Sequence, residues 1–235
     1  MSVKPFIYTA IDTPDLSKAC ELAKTLSGLT GIKLGLEFFN AHGPQGIEAV
    51  LKAAPDASLF IDLKYHDIPN TVAGAVRSFC THFTPDYLNV HASGGQTMME
   101  AAQKACHETS KGKTKLLAVT ILTALSKEDL KHIGYKEDGM QERVKSLALL
   151  TQKSGLSGVV CSSHEIEMLR KECSPDFTLM VPGIRPAGSD AGDQKRIMTP
   201  QEAVQLGASH LVIGRPITQS DNPAKTAENI LSTLL

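Results

Sequence analysis

Apolar residues arrive in short runs along this chain, separated by stretches of helical spacing. The runs are 6–11 (FIYTAI), 31–36 (GIKLGL), 58–63 (SLFIDL), 87–92 (YLNVHA), 116–122 (LLAVTIL), 158–162 (GVVCS), 177–183 (FTLMVPG) and 211–215 (LVIGR). Each has the length and β-branched content of a strand. They are too continuously apolar for a sheet with one wet face, so they predict strands covered on both sides. Between them lie patterns of i, i+3, i+4, i+7: Leu16, Ala19, Cys20 and Ala23; Val72, Ala75, Val76 and Phe79; Val144, Leu147, Ala148 and Thr151. That spacing lines one face of a helix. Thr13-Pro14, Thr199-Pro200 and Asn222-Pro223 each offer a capping side chain followed by proline, a helix-start signal. Thr199 with Glu202 and Ser162 with Glu165 suit capping boxes.

Eight strands alternating with helices predict a (β/α)8 TIM barrel, with residues 1–235 as a single catalytic domain. The alternative, an open doubly wound sheet, uses fewer strands as a rule, and no Gly-x-Gly-x-x-Gly follows the first run. No linker or low-complexity tract divides the chain.

Composition narrows the possible partners. The 24 basic and 25 acidic residues nearly cancel, giving a net charge of −1. That excludes the basic excess of a nucleic-acid binder. The five cysteines at 20, 80, 106, 161 and 173 form no Cys-x-x-Cys pair. Free thiols in a reducing, cytoplasmic setting are expected, not a disulfide frame or zinc site. The N-terminal apolar run is broken by Asp12, and no run is long enough to span a bilayer.

Active sites of such barrels lie at the C-terminal ends of the strands. Polar residues there are Asp12 on strand 1, Lys33 on strand 2, Asp62 and Lys64 on strand 3, Asn89 and His91 on strand 4, Thr120 and Thr123 after strand 5, and Gly214-Arg215 after strand 8. Residues two apart in a strand share a face and lie about 6.6 Å apart. Asp62 and Lys64 therefore both enter the barrel mouth if Ile61 packs outward. Lys33 reaches Asp62 from the neighbouring strand, and Asp67 turns back or reaches a neighbour. The expected product is an alternating array of Lys33, Asp62, Lys64 and Asp67, in which the carboxylates favour the ammonium form of Lys64. A structural ion-pair network at the rim is the bland alternative. Gly214-Arg215 suits a phosphate site, with the glycine admitting close approach and the arginine offering a planar fork. The long segment 182–200 carries Arg185, Gln194 and several glycines, and suits a lid. His66 and His91 have no acid partner in sequence. The Lys64 ammonium opposes a metal cation beside Asp62.

The stretch FIDLKYHDIPNTV (60–72) resembles the Asp-x-Lys-x-x-Asp-Ile-x-x-Thr signature of the orotidine 5′-phosphate decarboxylase family, in its bacterial form. AID (10–12), IKLG (32–35), NVHASGG (89–95), AVTILT (118–123), VPGIRPAGSDAGDQKRIMTP (181–200) and LVIGRPIT (211–218) extend the resemblance along nearly the whole chain. The resemblance implies decarboxylation of orotidine 5′-monophosphate to UMP, the last step of de novo pyrimidine synthesis, without metal or cofactor. It implies Lys64 as proton donor to C6, Asp62 beside the departing carboxylate, and Lys33 and Asp12 on the ribose hydroxyls. Thr123 and Ser126 fall near the base. Arg185, Gln194, Gly214 and Arg215 fall on the phosphate. Asp67 and Thr71 enter the site of a second subunit, so a homodimer is implied. Competing readings are a magnesium-dependent sugar-phosphate barrel working through an enediolate, a Schiff-base aldolase using Lys64, and a non-catalytic sensor of a phosphorylated metabolite.

Overall fold

The computed structural model describes residues 7–135, 139–186 and 198–234. Eight parallel strands close into a barrel in sequence order. They are β1 (Ile7–Ala10), β2 (Gly31–Gly35), β3 (Leu59–Tyr65), β4 (Tyr87–His91), β5 (Lys115–Val119), β6 (Gly158–Val160), β7 (Thr178–Pro182) and β8 (His210–Ile213). The helices are α1 (Leu16–Leu26), α2 (Leu36–Ala53), α3 (Pro69–His82), α4 (Gln96–Ser110), α5 (Lys127–His132), α6 (Met140–Lys153), α7 (Ile166–Glu172), α8 (Pro200–Gln205), α9 (Arg215–Thr218) and α10 (Pro223–Ser232). The (β/α)8 expectation holds, and each of the eight apolar runs overlaps a strand.

Strand alternation sorts the core into two shells. Ile7, Ile32, Ile61, Leu88, Leu116, Val159, Leu179 and Leu211 pack outward with the helices. Tyr8, Phe60, Tyr87, Leu117, Met180 and Val212 fill the barrel interior. Tyr8, Phe60, Tyr87 and His210 interlock near the floor: Tyr8 meets Tyr87 edge-on at 5.7 Å between ring centroids, and Tyr87 Oη lies 3.0 Å from His210 Nε2. Such contacts fill the N-terminal end with apolar volume and leave the cavity to the other end.

Two helix-start signals read from sequence hold. Thr199 accepts from the Glu202 amide with Pro200 in the first turn, and Asn222 accepts from Lys225 before Pro223. The capping box of Ser162 and Glu165 is present as well. Thr13-Pro14 does not cap α1. Asp15 does, its carboxylate accepting from the Lys18 amide at 3.0 Å. Pro14 lies outside the helix, its carbonyl accepting from His42 Nε2 of α2 at 2.7 Å, and Thr13 Oγ1 takes the Asp15 amide. The fifth strand is shorter than the apolar run: it ends at Val119, and Ile121 and Leu122 leave it to wall the cavity. Among the described residues no helix is long and apolar enough to cross a membrane.

Arg170 of α7 ties together two loops under the barrel, α7–β7 and α8–β8. Its Nε donates to the Gly207 carbonyl at 2.6 Å, and its terminal nitrogens donate to the Phe177 carbonyl and Ser209 Oγ, both at 2.7 Å. Hydrogen bonds from a charged donor contribute more than neutral ones. Arg170→Ala is expected to lower stability by about 2–3 kcal/mol, read as a lower urea midpoint at an unchanged slope.

Candidate active site

A cavity of about 380 Å³ opens at the C-terminal ends of the strands. Asp12, Lys33, Asp62, Lys64, Thr123, Arg185, Gly214 and Arg215, all expected from sequence, line it. An apolar wall comes from Val119, Ile121, Leu122, Val160, Pro182 and Val212. The volume falls within the range of small-ligand sites.

Four charges form a continuous chain along one side. Lys33 Nζ lies 3.2 Å from Asp12 Oδ1 and 3.4 Å from Asp62 Oδ2. Lys64 Nζ lies 2.7 Å from Asp62 Oδ1. Within one chain the order is therefore Asp12, Lys33, Asp62, Lys64, not the expected array ending in Asp67. The reason is direction. After Tyr65 the backbone leaves the strand, and the exposed Asp67 carboxylate turns to accept the Ile68 amide at 2.6 Å. Asp12, two residues past the end of β1, takes the other side of Lys33. Gly35 permits this crowding, since a β-carbon there would sit 3.0 Å from Lys33 Nζ and 3.1 Å from Asp12 Oδ1.

Burial and charge act against each other at these groups. Lys33 is 7 % exposed. Burial lowers its ammonium pKa, but the Asp62 and Asp12 carboxylates outweigh this and the net shift is upward. At Asp62 burial raises the carboxyl pKa, while Lys33, Lys64 and the hydrogen bonds from Lys64 and Asn89 bring it below its ordinary value. Both groups stay charged at neutral pH. His91 is pushed down by burial, by the His66 ring 5.4 Å away and by Lys64, against a smaller pull from Asp62. Its imidazole is neutral at pH 7.

Strand β3 delivers Lys64 through an irregular backbone. The register with β4 runs Ile61 to Leu88 and then Tyr65 to Val90, so Asp62, Leu63 and Lys64 stand opposite Asn89 alone. Lys64 takes φ of +50°, a left-handed conformation that costs a lysine about 1 kcal/mol or more. Ile61 and Leu63 do pack outward, as the two-residue alternation requires. Asn89, expected at the barrel mouth from its place on strand 4 but with no role assigned, is fully buried beside Asp62 and Lys64 of β3. Its Nδ2 donates to Asp62 Oδ1 at 2.7 Å and its Oδ1 accepts from the Lys64 amide at 2.8 Å. A polar residue at an inward position of an otherwise apolar strand was the available signal.

Other expected residues are placed less directly. Ser126 does not line the cavity: it caps α5, its hydroxyl donating to Asp129 Oδ2 at 2.6 Å and accepting from the Asp129 amide at 3.1 Å. Thr71 is exposed in the first turn of α3, beside Asp67 and an Ile68 that is 67 % exposed. Arg185 is buried at the cavity edge, where its amide donates to the Met198 carbonyl at 3.1 Å. That contact and a parallel bridge from Ile184 to Met198 pin the two ends of the long segment together. Gln194 lies outside the described residues. Gly214 and Arg215 stand at the start of α9.

A closed barrel that spends its strand ends on an ionised quartet around a cavity is the build of an α/β-barrel enzyme. Comparison with known proteins is specific. The model of the orotidine 5′-phosphate decarboxylase/HUMPS family matches residues 5–230. Orotidine 5′-phosphate decarboxylase of Moorella thermoacetica is 45 % identical over 240 residues, covering 100 % of this chain and 94 % of that protein. The enzyme of Paramagnetospirillum magneticum is 46 % identical over 233 residues, covering 97 % of each. A crystal structure of orotidine 5′-phosphate decarboxylase from Lactobacillus acidophilus superposes with a TM-score of 0.83 at 32 % identity, over 99 % of both chains. The chain belongs to the orotidine 5′-phosphate decarboxylase/HUMPS family.

The lowered Asp62 pKa sets a pH dependence. A carboxyl depressed on folding contributes stability fully present above its ordinary value of 3.8, and that contribution is lost as pH falls through the folded value. Asp62→Asn is expected to destabilise the protein by about 3 kcal/mol at pH 7, because two ammonium groups lose their shared anion. The gap from wild type should narrow as pH is taken below about 4, the ordinary carboxylate range. Urea denaturation from pH 7 to pH 3 measures both; a gap that widens on acidification contradicts the assignment.

Proposed function

We propose that this chain decarboxylates orotidine 5′-monophosphate to UMP, with Lys64 as the proton donor and with no metal or organic cofactor. The observation that carries the reading is the ion chain from Asp12 to Lys64 along a nucleotide-sized cavity. Loss of CO₂ leaves an electron pair in the plane of the pyrimidine at C6, where the ring π system delocalises it poorly. A fixed ammonium facing C6 stabilises that charge as it forms and then transfers its proton to carbon. Lys64 becomes a neutral amine and regains a proton from solvent. Preorganised charge of this kind is commonly the largest catalytic contribution.

Asp62 has two roles in this scheme. It holds Lys64 at 2.7 Å, and it sets a negative charge beside the substrate carboxylate. The second effect disfavours the bound substrate and ends when CO₂ leaves. Its Oδ1 already accepts from Lys64 and Asn89, and its Oδ2 faces Lys33. A divalent cation would have to displace those donors, which supports metal-free chemistry. Lys33 and Asp12 hold the ribose hydroxyls, and Thr123 lies by the base. Arg185, Gly214 and Arg215 bind the phosphate, with Gln194 from the long segment. Binding energy from that non-reacting phosphate organises the reacting end.

Two copies complete the site in this reading. Asp67 and Thr71 lie exposed at the start of α3 with an uncovered Ile68 between them, which suits a homodimer in which each chain lends these residues to the other.

Metal-stripped protein is expected to consume orotidine 5′-monophosphate, followed by ultraviolet absorbance in the presence of EDTA. Lys64→Ala is expected to lower kcat by at least about 10³-fold while UMP still binds. Turnover that survives this change removes the proton-donor role, and absence of turnover in the wild-type protein removes the reading itself. Mixing inactive Lys64→Ala and Asp67→Ala chains in equal amounts is expected to restore about a quarter of wild-type activity, since half the dimers are mixed and each mixed dimer holds one intact shared site. No recovery on mixing puts Asp67 and Lys64 of the same chain in one site.

A further inference from the structure

We infer that Asn89 is the positioning residue that sets the catalytic geometry of Lys64. The inference rests on the reading of Lys64 as proton donor. In a regular parallel pair, β4 would bond to the amides of β3 through its own backbone. Here three residues of β3 oppose one residue of β4, and the ladder is interrupted between Ile61 and Tyr65. The Asn89 side chain fills the interruption. Its carbonyl oxygen accepts the Lys64 backbone amide at 2.8 Å, and its amide donates to Asp62 Oδ1 at 2.7 Å. One planar group thus fixes both the backbone that carries the ammonium and the carboxylate that holds it.

Three features make this a device for aiming Lys64. Lys64 is held at φ of +50°, a conformation that persists in a non-glycine residue only when its surroundings impose it. Asp62 Oδ1 is shared between Asn89 Nδ2 and Lys64 Nζ, while Oδ2 faces Lys33. Without Asn89 the carboxylate is free to rotate toward Lys33 and draw Lys64 away from the cavity. Asn89 is also fully buried, with its neighbours Leu88 and Val90 packed outward, so its side chain has no competing water to satisfy it. Bulges next to active sites commonly re-aim a side chain in this way.

The test uses full-length Asn89→Ala and the isosteric Asn89→Asp. Asn89→Ala is expected to lower kcat about 10–100-fold, the worth of one or two charge-assisted hydrogen bonds, with UMP affinity within about threefold of wild type, because the phosphate end of the cavity is untouched. Asn89→Asp keeps the acceptor for the Lys64 amide but donates to Asp62 only when protonated. The charged and titratable groups around it are Asp62 and Lys64 of β3, Lys33 of β2, and His66 and His91 beside them. Burial and Asp62 favour its neutral form, so kcat of this variant should rise relative to wild type as pH falls from 8 to 6. This pH profile distinguishes aiming from mere support, and it remains readable if Asn89→Ala does not fold. Unchanged kcat with a lowered Tm in Asn89→Ala, or a flat pH ratio in Asn89→Asp, overturns the inference and leaves the decarboxylase reading intact. If wild-type protein shows no turnover, that reading falls, and a crystal structure of Asn89→Leu, which removes both hydrogen bonds at similar volume, decides the positioning. Lys64 leaving positive φ, or its ammonium leaving Asp62, supports it; an unchanged Lys64 overturns it.

Discussion

One carboxylate, that of Asp62, holds two ammonium groups in a partly buried cavity wall. Everything at the site is arranged around that sharing. Charges removed from water cost several kcal/mol each, and their mutual attraction offsets this only with good geometry and satisfied hydrogen bonds. Lys33 is acceptable inside the barrel because Asp12 and Asp62 stand on either side of it. Asp62 is acceptable because Lys33, Lys64 and Asn89 each direct a donor at it. No member can be neutralised without leaving its neighbours poorly compensated, so the four behave as one unit.

The fold supplies that unit with rigid mounts. Lys33, Asp62 and Asn89 come from adjacent strands β2 to β4 and Asp12 from just past the end of β1, and the hydrogen-bonded ladder of β1 to β4 fixes their separations. The aromatic floor of Tyr8, Phe60, Tyr87 and His210 fills the barrel beneath them. The residues assigned to phosphate binding come from the ends of β7 and β8, on the other side of β1 from Lys33, Asp62 and Lys64. That division suits a reaction in which one end of a ligand is gripped and the other is acted on, because the gripping end can carry binding energy without disturbing the charged end. It also explains why strain is tolerated at Lys64. The backbone around it is over-determined by Asn89 and the flanking strand pairs, so the left-handed conformation has nowhere to relax.

Much of this was legible in the amino-acid order. A strand covered on both faces must be apolar at successive positions, and eight such runs separated by helical spacing leave few architectures other than a barrel. The two-residue repeat of a strand puts Ile61 and Leu63 on one face and Asp62 on the other, so packing Ile61 outward turns Asp62 into the barrel. Charges at the ends of apolar runs stand out because nothing about packing calls for them. By the same logic Asn89, an amide between Leu88 and Val90, was visible as a polar inward residue, but its partners were not.

Those partners were decided by barrel closure. Asn89 is 25 residues from Lys64 and 27 from Asp62 in sequence, and only the skipped register between β3 and β4 brings the three together. Register is a property of two strands and is written in neither one alone. A lysine gives no local sign that it will adopt positive φ, since the preference runs against it and the surroundings impose it. Likewise Asp12, and not Asp67, completes the array within one chain, because the backbone turns away after Tyr65. Local chemistry thus determined the strands, their faces and the charged residues at their ends; the closed sheet alone determined which of those charges meet, as contacts between distant strands follow from pairing and packing of the whole chain.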